Sequence, residues 1–134
     1  MTNKQIVNFI SGHLDLTEAE FDFHYRLKID KALEENESFV VGDAQGADTL
    51  AQQYLLTKTK SVIVYHMLTS PRNNVGFSTR GGFKSDAERD EQMTLDSHKD
   101  IAWVRPGKKR SGTQKNIDRR LTVTITKPNF ICND

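Results

Sequence analysis

The sequence predicts an α/β sandwich around a mostly parallel sheet of about five strands. Short apolar, β-branched runs alternate with segments of helical periodicity, and parallel neighbours need the crossover that a helix supplies. Polar or glycine-rich segments follow the runs, which is where ligands bind in such sheets, beyond the carboxyl ends of the strands. A length of 134 residues fits one domain spanning 1–134. The hydrophobic fraction of 36% suffices for one core between stacked layers, and 28% charged residues with only three prolines argue against a disordered chain.

The first strand is the run Ile6-Val7-Asn8-Phe9-Ile10, which stops at Ser11-Gly12-His13. Thr17-Glu18-Ala19-Glu20 has the spacing of a capping box, so one helix is expected over about 17–35, with Phe21, Tyr25, Ile29 and Leu33 as its buried stripe. Ser38-Phe39-Val40-Val41 reads as the second strand, broken by Gly42-Asp43-Ala44-Gln45-Gly46. A second helix carries Ala47, Leu50, Ala51, Tyr54 and Leu55 at helical spacing. Ser61 to His66 is a third strand, almost continuously apolar, as strands covered on both faces are.

Thr69 to Phe83 has three glycines, Pro71 and no periodicity, and reads as a long loop of the kind that forms lids, with Arg72, Asn73 or Arg80 able to reach a ligand. Ser85 or Asp86 caps a third helix to about Leu95, and Ile101-Ala102-Trp103-Val104 is the fourth strand, with Trp103 assigned to the core. Gly112-Thr113 opens a short helix to about Arg120, and the alternation from Leu121 to Thr126 predicts a last, edge strand.

Several function classes drop out. No apolar run approaches the ~18 residues of a membrane span, and the N-terminus lacks the pattern of a secretory signal, so a cytoplasmic protein without membrane partners is expected. The single cysteine, Cys132, excludes an internal disulfide and a cysteine-rich zinc site, and reads as a packed or idle thiol. His13, His24, His66 and His98 show no metal-ligand spacing, so no metal is expected, and no cofactor is implied. The serine-hydrolase elbow, the P-loop and the dinucleotide fingerprint are all absent.

Net charge is +1, but unevenly distributed. Asp15 to Glu37 holds eight acids and three bases, whereas Arg105 to Arg120 holds seven bases and the single acid Asp118. That basic segment could meet phosphates or form a solvated surface.

The candidate ligand residues lie at the strand ends: Ser11, Gly12 and His13; Gly42, Asp43, Ala44, Gln45, Gly46 and Asp48; Ser111, Gly112 and Thr113. The latter two groups lead into helices, whose free N–H groups and positive dipole ends suit an anion such as a phosphate. Asp43 beside an anion is repulsive, which puts it near ribose. Asp48, in a first helical turn, also suits a structural role, and His13 is either a hydrogen-bond donor to ligand or a surface histidine. Asp86, Glu88 and Asp90 share one short helix and, with Asp43, are the candidates for acid or nucleophile chemistry, or simply an acidic exposed face. A bulky residue at Gly46 is expected to abolish binding while leaving the chain folded.

Ser11-Gly12-His13, the Gly42-Asp43-Ala44-Gln45-Gly46-Ala47-Asp48 turn, Arg89-Asp90-x-x-Met93, Ile101-Ala102-Trp103-Val104 and Ser111-Gly112-Thr113 with Asn116 occur in an order that resembles the SLOG superfamily, in its small stand-alone YspA-like branch. The resemblance spans residues 6–120 and implies a Rossmann-like three-layer fold and a nucleotide-derivative ligand, a nucleoside monophosphate or an ADP-ribose-like molecule. It also implies that backbone at Gly42 to Ala47 and at Gly112-Thr113 holds phosphate, with Arg89 approaching the same site. Some relatives cleave the bond between a base and ribose phosphate, or transfer deoxyribose, and the phosphoribohydrolases among them use a carboxylate a few residues after their Gly-Thr pair with an arginine on the preceding helix. Here that stretch reads Gln114-Lys115-Asn116-Ile117, and an asparagine cannot take a proton as a carboxylate does.

The expected function is therefore capture of a nucleotide derivative, as a sensor or sequestering protein. The alternative is an N-glycosidase or deoxyribosyltransferase. Single-stranded nucleic-acid binding ranks below both, because the basic segment holds no aromatic for base stacking. Small size and edge strands are compatible with a homodimer.

Overall fold

A computed structural model describes residues 5–108 and 111–126. Cys132, Lys109 and Arg110 lie outside the described residues. The chain forms a three-layer α/β sandwich around a five-stranded, wholly parallel sheet.

Strand β1 (Val7–Ile10) is an inner strand. It pairs with β2 (Ser38–Gly42) on one side and β5 (Lys99–Ile101) on the other. Beyond β2 come β3 (Val62–Met67) and the edge strand β4 (Ser78–Phe83), giving the order β4-β3-β2-β1-β5. The chain moves outward from β1 to β4, then returns to the far side of β1. The topological switch point thus falls between β1 and β5, where open parallel sheets form their ligand crevice.

The two faces follow from strand alternation. Ile10, Phe39, Val41, Val62 and Val64 pack under α1 (Glu18–His24), α2 (Arg26–Glu34) and α3 (Ala47–Leu55). Phe9, Val40 and Tyr65 face the opposite layer, where Met93 of α4 (Asp86–Asp96) completes a smaller cluster and α5 (Gly112–Thr126) runs beside α4. No described helix is long and apolar enough to cross a membrane.

Four predicted elements differ from the structure. The single helix over 17–35 is two: its Thr17–Glu20 capping box forms, but the backbone departs from helical geometry at Tyr25 (φ −119°), whose buried hydroxyl donates to Ser11 O at 2.8 Å and accepts from Trp103 N–H at 3.1 Å. The loop predicted to reach Phe83 ends at Phe77, and 78–83 is a strand. It escapes hydropathy because β4 is an edge strand with only Phe83 buried, and Gly81 is where the His66 ring lies, leaving no room for a side chain.

The fourth strand is 99–101, not 101–104, because the chain leaves the sheet to put Trp103 against α1. There the indole stacks on His24 at 3.9 Å, half-buried beside the core. Finally, 121–126 is the end of α5, not an edge strand. Arg120 anchors that helix to the carbonyls of Thr94 and Ser97 and to Asp100, and packing along α4 overrides the local β propensity.

The β3–β4 connection contains no helix. Residues 68–77 cross the α3 face as a series of turns and bends held by side chains: Gln52 donates to Asn73 O and accepts from Val75 N–H, each at 3.1 Å, while Phe77 enters the core.

Candidate functional site

A cavity of about 750 Å³ opens at the carboxyl edge of the sheet beside the switch point. Its floor is the end of β1, Phe9 and Ser11, with Met93 of α4. One wall comes from Ala44 and Asp48, from Arg72, and from Asp86, Arg89 and Asp90 of α4. The other comes from Lys108, from Ser111, Gly112 and Thr113 at the head of α5, and from Asn116 one turn further on. Gly12, His13, Leu14 and Asp15 form the rim.

Of the predicted ligand residues, this brings together Ser11, Gly12, His13, Ala44, Asp48, Arg72, Arg89, Ser111, Gly112 and Thr113. Gly42, Asp43, Gln45 and Gly46 do not line the cavity: Gly42 and Asp43 are buried behind its wall, Gly46 packs against the carbonyls of His13 and Leu14, and Gln45 is exposed. Among the acid candidates, Asp86 and Asp90 line it. Glu88 instead caps its own helix, accepting from Lys84 N–H at 2.7 Å while Ser85 takes the Glu88 amide. Phe9, Lys108, Met93 and Asn116 were not among the predicted site residues. Asn116 had a signal, since it follows Thr113 by the three residues that place two side chains on one helix face, and both are buried.

The wall is an ion-pair network. Asp43, fully buried, accepts from Arg72 N–H at 2.8 Å and from Arg72 Nη2 and Arg89 Nη1 at 2.7 and 2.8 Å. Burial alone would raise its carboxyl, but the Arg72 hydrogen bonds and the two guanidinium charges outweigh that and hold it below the usual range. Asp43 is therefore engaged by two arginines and does not itself line the cavity. Arg89 also donates through Nε and Nη2 to Asp90 Oδ1 at 3.0 and 2.8 Å, and Asn116 donates to Asp90 Oδ2 at 3.2 Å, tying α4 to α5. Arg72 reaches Asp86 at 2.7 Å across the cavity mouth.

These head groups pass directly over Gly42, where a Cβ would stand 2.6 Å from Asp48 Oδ2 and 2.9 Å from Arg89 Cζ. Asp48 itself accepts Ala44 N–H at 3.1 Å. Its carboxyl is pushed up to about 7, first by burial and further by the charges of Asp90 and Asp43, against the opposing pull of Arg89.

Because the folded pKa lies above the unfolded one, the folded chain retains a proton that the unfolded chain releases. Asp48 therefore contributes most stability below about pH 4, and loses it as pH rises toward 7. Asp48→Asn is expected to be about 3 kcal/mol more stable than the parent at pH 8, with the gap closing by pH 4. Urea unfolding at both pH values checks this; an equal difference at both would show that the effect is packing and not charge.

The two helix heads differ. At α3 the chain's own backbone serves the first turn: Ala47 N–H donates to His13 O at 3.1 Å. At α5, Ser111 Oγ accepts Gln114 N–H at 3.1 Å, and no atom of the described residues lies within 4 Å of where a Gly112 Cβ would be. The head of α5 is thus the open one.

His13 Nε2 accepts Arg105 N–H at 2.8 Å, which places the ring proton on Nδ1. Burial, then the Arg105 charge, keeps the ring below its ordinary pKa. Arg105 also bridges Asp15 and Glu20 at 3.0 and 2.7 Å, and its hydrogen bonds hold Glu20 down at about 2. Of the basic segment, Arg105 and Arg120 are thus structural, and Lys108 faces the cavity. Among the described residues no group of three or more His, Cys, Asp or Glu is placed to hold a metal ion.

Comparison with protein-family models, with curated proteins and with solved structures finds no match to this chain.

Proposed function

We propose that this chain binds a nucleotide or nucleotide derivative at the carboxyl ends of its strands, acting as a sensor or sequestering protein. The observation that carries this reading is the polarity of the cavity at the switch point. Lys108 and the open head of α5 offer positive charge and free amides to a phosphate, while Asp48, Asp86 and Asp90 opposite offer acceptors for sugar and base donors. The volume of about 750 Å³ suits a ligand of nucleotide size.

Calorimetry with nucleoside 5′-monophosphates, the parent nucleosides and inorganic phosphate tests the reading. Monophosphates are expected to bind more tightly than either fragment. Lys108→Glu is expected to weaken them about tenfold, the scale of one charge-assisted hydrogen bond, and to leave nucleoside affinity unchanged. No heat with any monophosphate, or equal affinity in the variant, would refute it.

One observation favours a second reading, N-glycosidic cleavage or transfer. Asp90 lines the cavity, oriented by two N–H groups of Arg89 and by Asn116, and Asp48 lines it with a proton available near neutral pH. Release of free base, seen by chromatography and abolished in Asp90→Asn, would establish the enzyme.

A further inference from the structure

Ser11 is the polar residue of the cavity floor that the protein itself leaves unanswered. It is 6% exposed, and its buried Oγ has no hydrogen-bond partner among the described residues. The position is not loose: Ser11 N–H donates to Ile101 O at 3.1 Å, and Ser11 O accepts the Tyr25 hydroxyl at 2.8 Å. By strand alternation the side chain shares the face of Phe9, toward α4 and α5, and both residues line the cavity. Buried polar atoms in folded proteins are almost always paired, so an orphan hydroxyl at the wall of a ligand-sized cavity marks where a ligand group completes it.

Its surroundings narrow the chemistry. Phe9 and Met93 are the apolar side chains of the same floor, and Asp90 and Asn116 supply further hydrogen-bonding groups on the walls. A hydroxyl that both donates and accepts, with a carboxylate acceptor and an apolar platform, suits a sugar ring, whose hydroxyls and C–H face have those two characters. It suits a second phosphate poorly, because Asp48, Asp86 and Asp90 line the same cavity and the guanidiniums of Arg72 and Arg89 are already ion-paired.

We infer that Ser11 is a specificity-determining residue, hydrogen-bonding a ribose hydroxyl of the bound nucleotide. The inference rests on the nucleotide reading above and adds to it which part of the ligand the floor recognises.

The test is a cycle on protein and ligand together. The four common ribonucleoside 5′-monophosphates, their 2′-deoxy and 3′-deoxy analogues and inorganic phosphate are titrated into the parent protein and into Ser11→Ala. This variant removes an atom that makes no hydrogen bond to any described residue and leaves both backbone contacts, so an unchanged melting curve is expected. The parent should lose about tenfold in affinity when one of the two hydroxyls is removed. Ser11→Ala should lose about tenfold for the ribonucleotide, discriminate less than twofold between it and that deoxy analogue, and bind phosphate as the parent does. Equal ribonucleotide affinity in both proteins, or full discrimination retained by Ser11→Ala, overturns the assignment while leaving the nucleotide reading standing. Failure of every monophosphate to bind the parent overturns both.

Discussion

Asp43→Ala is expected to lower the unfolding free energy by about 3 to 5 kcal/mol, the cost of breaking a buried charge pair from one side. The carboxylate joins Arg89, whose side chain is 6% exposed, to Arg72 on the crossing segment, so its removal takes the buried partner from both guanidiniums and leaves Arg89 to Asp90 and Asp86, and Arg72 to the exposed Asp86. It also removes the acceptor of Arg72 N–H, one of the few bonds that hold 68–77 across the sheet in place of a helix. Asp43→Asn keeps an acceptor but not the charge, and should fall between. Since the folded carboxyl titrates below the unfolded one, the stabilisation is present above about pH 4 and fades as pH falls through the folded pKa. The gap between parent and variant in urea should therefore narrow in acid. A constant gap would mean that shape, not charge, is what Asp43 contributes.

Gly46→Val is expected to leave little folded protein. Gly46 sits at φ 75°, ψ −125°, a conformation open to glycine, and its Cα faces the backbone carbonyls of His13 and Leu14, so an added Cβ would overlap main chain that cannot rotate away. Backbone strain alone costs about 1 to 3 kcal/mol, and displacing the β1–α1 loop adds to it. Gly112→Ala is the control: no atom of the described residues lies within 4 Å of that position, and a loss under about 1 kcal/mol is expected. Circular dichroism melts of the two variants decide the matter, and a Gly46→Val protein as stable as the parent would show that the loop yields. The sequence alone suggests a folded variant deficient only in binding. The close approach of two loops is what changes that expectation.

That contrast shows what the sequence makes legible. β1, β2, α3 and β3 are readable because each buries a face and writes its period into side-chain order. β4 lies at the sheet edge with one buried residue, so there was no period to read. The tail of α5 alternates like a strand, yet helix–helix packing decides its conformation. The site divides similarly. Ser11, Ser111 and Thr113 could be found because ligands gather where strands end and helices begin. Asp43 follows a strand too, but its part depends on Arg72 and Arg89, which arrive from 29 and 46 residues away, a convergence that no local spacing encodes.

Trp103 is the chain's sole tryptophan. Its indole lies flat on His24 and 6.0 Å, edge-on, from His13, which belongs to the cavity rim. Nature has thereby built an optical probe into this molecule: the intrinsic emission originates beside the rim, so occupancy can be followed by fluorescence on unlabelled material, with no competing indole signal to subtract.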